Sequence, residues 1–331
     1  MDQYADVPRL PLDSEGLITH AEAVAGGHRE LLRRLHRSGS VERLAPAVYG
    51  LPQPSATTSP QDAAERYRRQ VVAAARRMPN RVFTSFSAAA LLRLPIVGRW
   101  PEDVFVLSGG KTGSRRPGVR EIAHRLAVPE VRLGGIRITT PEHTVIQLAR
   151  HASLPAALVA ADRAVRQRPW RSQERPLVTM DQLRAEDARL RPYHRSRRVD
   201  AVLERATPDA DGVLETLSRL VIEQLGFAAP ELQVRFWLPG LQRYAWVDFY
   251  WPECRVAAEA DGHGKYLDGG APSGAAQRVV EEKRREDELR PQVNGLARWG
   301  WQDVWAVRPL ERILERAGVP RIRRARPLFV L

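Results

Sequence analysis

The sequence predicts an α/β chain, α+β overall, divided into several domains. Three observations carry that expectation. The 331 residues suffice for roughly two or three domains of about 100–200 residues each. Hydrophobic residues make up 43%, the share found in chains that bury real cores. Helical and strand periods then alternate along the chain, separated by Gly- and Pro-rich breaks.

Segment 14–52 reads helix, helix, hairpin. "GLITHAEAVAGG" offers Thr19 as N-cap and a Gly pair as stop. "HRELLRRLHRSG" carries the apolar stripe Leu31, Leu32 and Leu35 and ends at Gly39. "SVERLAPAVYGLP" predicts two short strands around Ala45-Pro46. Two short helices and a hairpin resemble a winged helix-turn-helix.

Segment 60–168 predicts a mixed α/β middle domain. It opens with the helix "SPQDAAERYRRQVVAAARRMP" and continues through "RVFTSFSAAALLRLP", a strand leading into a short helix. "DVFVLSGG", "REIAHRL" and "GIRITT" are short strands; "PEHTVIQLARHA" and "LPAALVAADRAVRQ" are helices, with Pro141 in a first turn. "SGGKTGS" lacks the spacing of a phosphate-cradling loop and reads as a basic loop. Segment 169–210 is an Arg/Pro-rich linker leading into helices.

Segment 211–315 has the clearest plan. "GVLETLSRLVIEQLG" is an amphipathic helix stopped by Gly226. The strands "ELQVRFWL", "RYAWVDFYW" and "CRVAAEADG" follow, then the helix "AAQRVVEEKRREDELR" and the strand "LARWGW". Residues 316–331 read as a basic C-terminal tail.

The net charge of +13 favours polyanions through phosphate contacts and counterion release, so a nucleic acid is one expected partner. A solvated arginine-rich surface is the alternative. No apolar run approaches the ~20 residues of a membrane span. The start shows no secretory signal, and the single cysteine, Cys254, excludes an internal disulfide and a cysteine zinc cluster. A cytoplasmic location is the expectation.

Acids stand out within the strands. Alternation puts Ala245, Val247 and Phe249 on one face and Trp246, Asp248 and Tyr250 on the other. Glu259 and Asp261 share a face of the next strand, and pairing through the short turn would bring Asp248 toward Glu259. Neighbouring carboxylates repel unless a cation lies between them, which suggests Mg²⁺ (or Mn²⁺). The alternative is a solvated sheet face.

"VDFYWPECRVAAEADGHGKY", with "LETLSRL" upstream and "EKRREDELR" downstream, resembles actinobacterial nuclease-like domains related to very-short-patch-repair endonucleases. These belong to the PD-(D/E)xK, restriction-endonuclease-like superfamily. The resemblance implies that Asp248 and Glu259 hold the metal, with Glu215 on the preceding helix assisting; Asp261 is read as assisting through metal or water. Asp261 stands where the family has lysine, so Lys283 or Lys265 would supply the cation. The opposing reading makes Lys283 part of a solvent-facing helix, paired with Asp287.

Residues 14–168 are similar to AbiEi-type antitoxins: a winged-helix module at "GLITHAEAVAGGHRELLRRLHRSGSVERLAPAVYGLP", then the domain that follows it in many relatives. That resemblance implies DNA binding by Arg29, Arg33, Arg34 and Arg37 on the helix and Arg43 on the wing, with a cognate toxin or another protein as partner. The expected function is a DNA-binding protein with a Mg²⁺-dependent endonuclease domain. The alternative is a noncatalytic regulator or antitoxin-like protein.

Overall fold

This computed structural model describes residues 10–52, 59–110, 112–168, 175–261 and 272–329. The described residues of Met1–Ala152 and Asp181–Leu203 form one compact unit, and those of Ser153–Met180 and Glu204–Leu331 a second. The chain is of mixed α/β class with small sheets. Among the described residues no helix is long and apolar enough to cross a membrane.

The first unit opens with β1 (Leu17–Thr19), a strand the sequence did not reveal, and α1 (His20–Ala25). Thr19 caps α1 as expected: its Oγ1 accepts from Glu22 N–H at 3.1 Å, and Glu22 Oε2 accepts from Thr19 N–H at 2.7 Å. In α2 (Arg29–Arg37) Leu32 and Leu35 are buried with Ile18, Ala23 and Val41, and Leu31 packs partly buried beside them. The hairpin β2 (Glu42–Ala45) and β3 (Val48–Gly50) completes an antiparallel sheet ordered β1-β3-β2. Its turn puts Ala47 at φ +63°, a left-handed position that favours glycine.

The long α3 (Pro60–Arg77) is capped by Ser59 and buries Tyr67, Val71 and Val72. The expected strand before α4 (Ser85–Leu91) shrinks to one residue, Phe83, which bridges to Val106 and to Ile138. Val106 lies in β4 (Val104–Leu107), which pairs parallel with β6 (Val119–Ile122); β5 (Arg115–Arg116) pairs with β6. Ile138 lies in β8 (Ile136–Thr139), the partner of β7 (Glu130–Leu133). Gly134 and Gly135, at φ +55° and +82°, make the two-residue turn between them, where side chains would be strained. After α5 (Pro141–His151) the chain contributes α6 (Leu154–Val165) to the second unit. It returns with α7 (Met180–Leu190) and α8 (Ser196–Leu203).

The second unit follows the expected order. A helix, α9 (Val213–Leu225), ends at Gly226, whose φ is +81°. A Cβ there would lie 2.2 Å from Arg323 O, so both conformation and space demand glycine. The meander β9 (Glu231–Leu238), β10 (Arg243–Trp251) and β11 (Val256–Ala260) is antiparallel. After α10 (Pro272–Leu289), β12 (Gly295–Trp299) pairs parallel with β11, a connection that requires a crossover. The sheet order is β12-β11-β10-β9.

One side of this sheet meets α9. Phe249 packs on Trp251 and Trp299, and Trp299 Nε1 donates to Ser218 Oγ of α9 at 2.8 Å. A separate cluster joins Val247 and Ala257 to Leu289 at the end of α10. Two further helices, α11 (Trp301–Ala306) and α12 (Arg308–Ala317), were not expected. The expected tail begins inside α12 and then runs along the end of α9: Ile322 N donates to Gly226 O at 2.9 Å and Arg326 N to Gln224 O at 2.8 Å.

Candidate acid site

The site begins with a break in strand alternation. Val247 pairs with Val234 and Phe249 with Leu232, while Gln233 between them adopts φ +51°. That conformation costs a non-glycine residue on the order of 1–3 kcal/mol and persists only where its surroundings enforce it. Its consequence is visible in packing. Val247 and Tyr250 join the same cluster with Leu289, whereas alternation assigns them to opposite faces. The expected common face of Ala245, Val247 and Phe249 is therefore broken at Asp248: Val247 packs with Leu289 and Phe249 with Trp299.

The left-handed Gln233 aims its side chain at two acids. Its Nε2 donates to Glu215 Oε2 at 3.0 Å and to Asp248 Oδ1 at 3.1 Å. Asp248 Oδ2 accepts from Ala260 N–H at 2.8 Å, and Glu215 Oε2 accepts from Asp211 N–H at 2.9 Å. Glu215, in the first turn of α9, is only 8% exposed. Burial, then the neighbouring Asp248 charge, pushes its carboxyl up to about 8, against the lowering effect of the Asp211 and Gln233 hydrogen bonds. Glu215 thus holds its proton near neutral pH unless a cation replaces it.

Glu259 has a different environment. Arg285 Nη2 of α10 lies 2.5 Å from its Oε1, without the alignment of a hydrogen bond. Arg298 Nη2 of β12 lies 3.0 Å from its Oε2. Arg298 is its register partner across the parallel pair, and both arginines also contact Glu282. Burial opposes the charge of Arg285, yet Glu259 and Glu282 raise its pKa above the ordinary value.

The structure therefore brings Asp248 together with Glu215 and gives Glu259 to two arginines. Asp261 follows β11 and its N–H donates to Trp299 O at 2.9 Å. Lys283 is exposed, and among the described residues no ion pair joins it to Asp287. Lys265 lies outside the described residues. Sequence reasoning missed Gln233, Arg285 and Arg298. Arg285 had a signal, lying two residues beyond Lys283 on the same charged helix; Arg298 needed the β11–β12 register, and Gln233 a left-handed residue within a strand.

The pair itself offers only carboxylate oxygens, each held by N–H donors of Asp211, Gln233 and Ala260, and one or two carboxylates are the usual protein share of a Mg²⁺ site. The donor set fits a hard divalent cation at Glu215 and Asp248. Glu259 does not fit as their co-ligand, because two guanidinium groups occupy its oxygens. Among the described residues no group of three or more His, Cys, Asp or Glu side chains is arranged to hold a metal ion.

In the first unit Arg29, Arg33, Arg34, Arg37 and Arg43 are all exposed. Arg33 and Arg37 both approach Glu30, at 3.7 and 3.4 Å. Such exposed pairs contribute about 0–1 kcal/mol and would yield readily to a phosphate.

No family model matches the chain. It is 32% identical over 149 residues to two uncharacterized proteins of Mycobacterium tuberculosis, MT2308 of strain CDC 1551 / Oshkosh and Rv2248 of strain ATCC 25618 / H37Rv. The match covers 44% of this chain and 50% of each relative, so the chain spans about half the length of the curated relatives it matches.

Proposed function

We propose that the chain is a DNA-binding protein whose second unit hydrolyses DNA phosphodiesters with a divalent cation held by Glu215 and Asp248. The observation that carries this reading is the pair itself: a buried carboxyl with a raised pKa, tied through Gln233 to a second acid. Burying two acids together is costly, and a site that needs a cation to relieve the cost is a candidate functional site. The resemblance to nuclease-like domains, carried by the motifs around Asp248, Glu259 and Lys283, supports this reading. A Mg²⁺ or Mn²⁺ ion in such a site polarises a phosphoryl oxygen and lowers the pKa of bound water. Glu215 and Asp248 would hold it, and Gln233 would keep the two carboxylates in register. The net charge and the exposed arginines of α2 support DNA as the substrate.

One observation favours the noncatalytic reading. Glu259 is neutralised by Arg285 and Arg298, and among the described residues no ion pair joins a lysine to the acids. In that reading the second unit only binds DNA or a protein partner, such as a cognate toxin. Incubation of the full chain with duplex and single-stranded DNA and Mg²⁺ or Mn²⁺ separates the two. Cleavage by wild type, lost in Asp248→Asn while DNA binding persists, supports hydrolysis. DNA binding without cleavage of any DNA form supports the regulator.

A further inference from the structure

The partly buried arginines of the first unit mostly meet a carboxylate: Arg68 meets Glu65, Arg69 meets Glu42, Arg81 meets Glu121, Arg137 meets Glu130. Arg120 and Arg150 do not, and the exposed Arg195 and Arg198 join them. Arg120, Arg150, Arg195 and Arg198 make no ion pair among the described residues, and all four bear electrostatically on His151. Their contacts are neutral. Arg120 lies over the Phe105 ring at 5.5 Å, and Arg150 over Tyr193 at 5.0 Å. Arg150 donates to His194 O and Gln147 Oε1, Arg195 to Arg150 O, and Arg198 to Ala152 O.

His151 offers no compensation. Burial and then these arginines drive its pKa down to about 3, so it is neutral, and both its ring nitrogens are buried without a hydrogen-bond partner. Burial also lowers the pKa of Arg150. Two cavities meet at Arg150, of about 440 and 460 Å³. The first holds Arg120 and His151; the second holds His124, Arg125 and Tyr193. Glu121 also lines the first, but Arg81, Arg116 and Ser114 already engage its oxygens. Like charges gathered without a counter-charge repel, and an arriving anion relieves them. Guanidinium forks match phosphate oxygens. The charge spreads over β6, α5 and the start of α8, with Arg195 and Arg198 exposed, which suits a repeating anion better than a single one.

We infer that this arginine cluster is a second nucleic-acid surface, taking successive phosphates of a DNA backbone at a place separate from α2. The inference rests on the reading of the chain as a DNA-binding protein. The test is fluorescence anisotropy of a labelled duplex with the full chain across a salt series. Arg120→Ala/Arg195→Ala should make the slope of log affinity against log salt shallower by roughly 1.8, and binding about thirty-fold weaker at 0.15 M salt if affinities converge at 1 M. Arg120→Lys/Arg195→Lys should restore most of the slope, which a merely misfolded variant would not allow. Arg184→Ala, removing an arginine already paired with Asp181, should leave the slope unchanged. Wild type binding tightly, with Arg120→Ala/Arg195→Ala equal to it in affinity and slope, overturns this inference alone. Wild type failing to bind the duplex at any salt overturns the DNA-binding reading beneath it. Stoichiometric displacement of the duplex by a mononucleotide would instead identify a small-anion pocket and also overturn it.

Discussion

Glu259 and Glu215 are both withdrawn from solvent in the same unit, and the fold treats them in opposite ways. Glu259 is enclosed by Arg285 and Arg298. Glu215 has no described cationic partner; a backbone N–H and a glutamine amide are its contacts. A carboxylate removed from water needs charge, hydrogen bonds or a proton. At Glu259 the chain supplies the charge itself, so the group is structural. At Glu215 it leaves a proton in place, and a proton can be exchanged for a metal ion.

Removing compensation should reveal the difference most strongly. Arg285→Ala leaves Glu259 with one arginine and should destabilise the second unit by about 4 kcal/mol in urea denaturation, as breaking a buried pair does. A loss under about 0.5 kcal/mol would mean that solvent already screens Glu259. Glu215→Gln should act with the opposite sign. Its pKa is raised on folding from 4.5 to about 8, so wild type loses stability as pH rises through that window. Gln removes that loss: the variant should match wild type at pH 4 and exceed it by several kcal/mol above pH 8. Equal stability at both pH values would contradict the burial argument.

The next effects are small by design. Glu259→Gln should leave Mn²⁺ affinity within about threefold by calorimetry, because its oxygens belong to arginines rather than to the metal site. Loss of binding would restore the pairing of Asp248 with Glu259 expected from the sequence. Lys283→Ala should change stability by less than about 0.5 kcal/mol and leave Mn²⁺ affinity alone, since the side chain is exposed.

The order of elements in the second unit was legible because hydrophobic period and turn residues are local signals. Thr19, Gly226 and Pro141 stand where caps and first turns were expected for the same reason. The acid site was only half legible. Alternation and a short turn place Asp248 near Glu259, and nothing local announces that Gln233 turns left-handed and that packing changes sides at Asp248. Asp248 then meets Glu215, 33 positions earlier. The arginine cluster around His151 was invisible for a related cause: it draws Arg195 and Arg198 from what reads as a linker and Arg120 from a short strand.

Calorimetric titration of Mn²⁺ into wild type and Asp248→Asn, at pH 7 in two buffers of different ionisation enthalpy, tests the central claim most directly. A cation bound at Glu215 and Asp248 must displace the Glu215 proton, so wild-type binding should release about one proton per ion. Asp248→Asn should show neither the binding nor the release. Equal binding by the two proteins, or wild-type binding without proton release, would contradict a metal site built on Glu215 and Asp248.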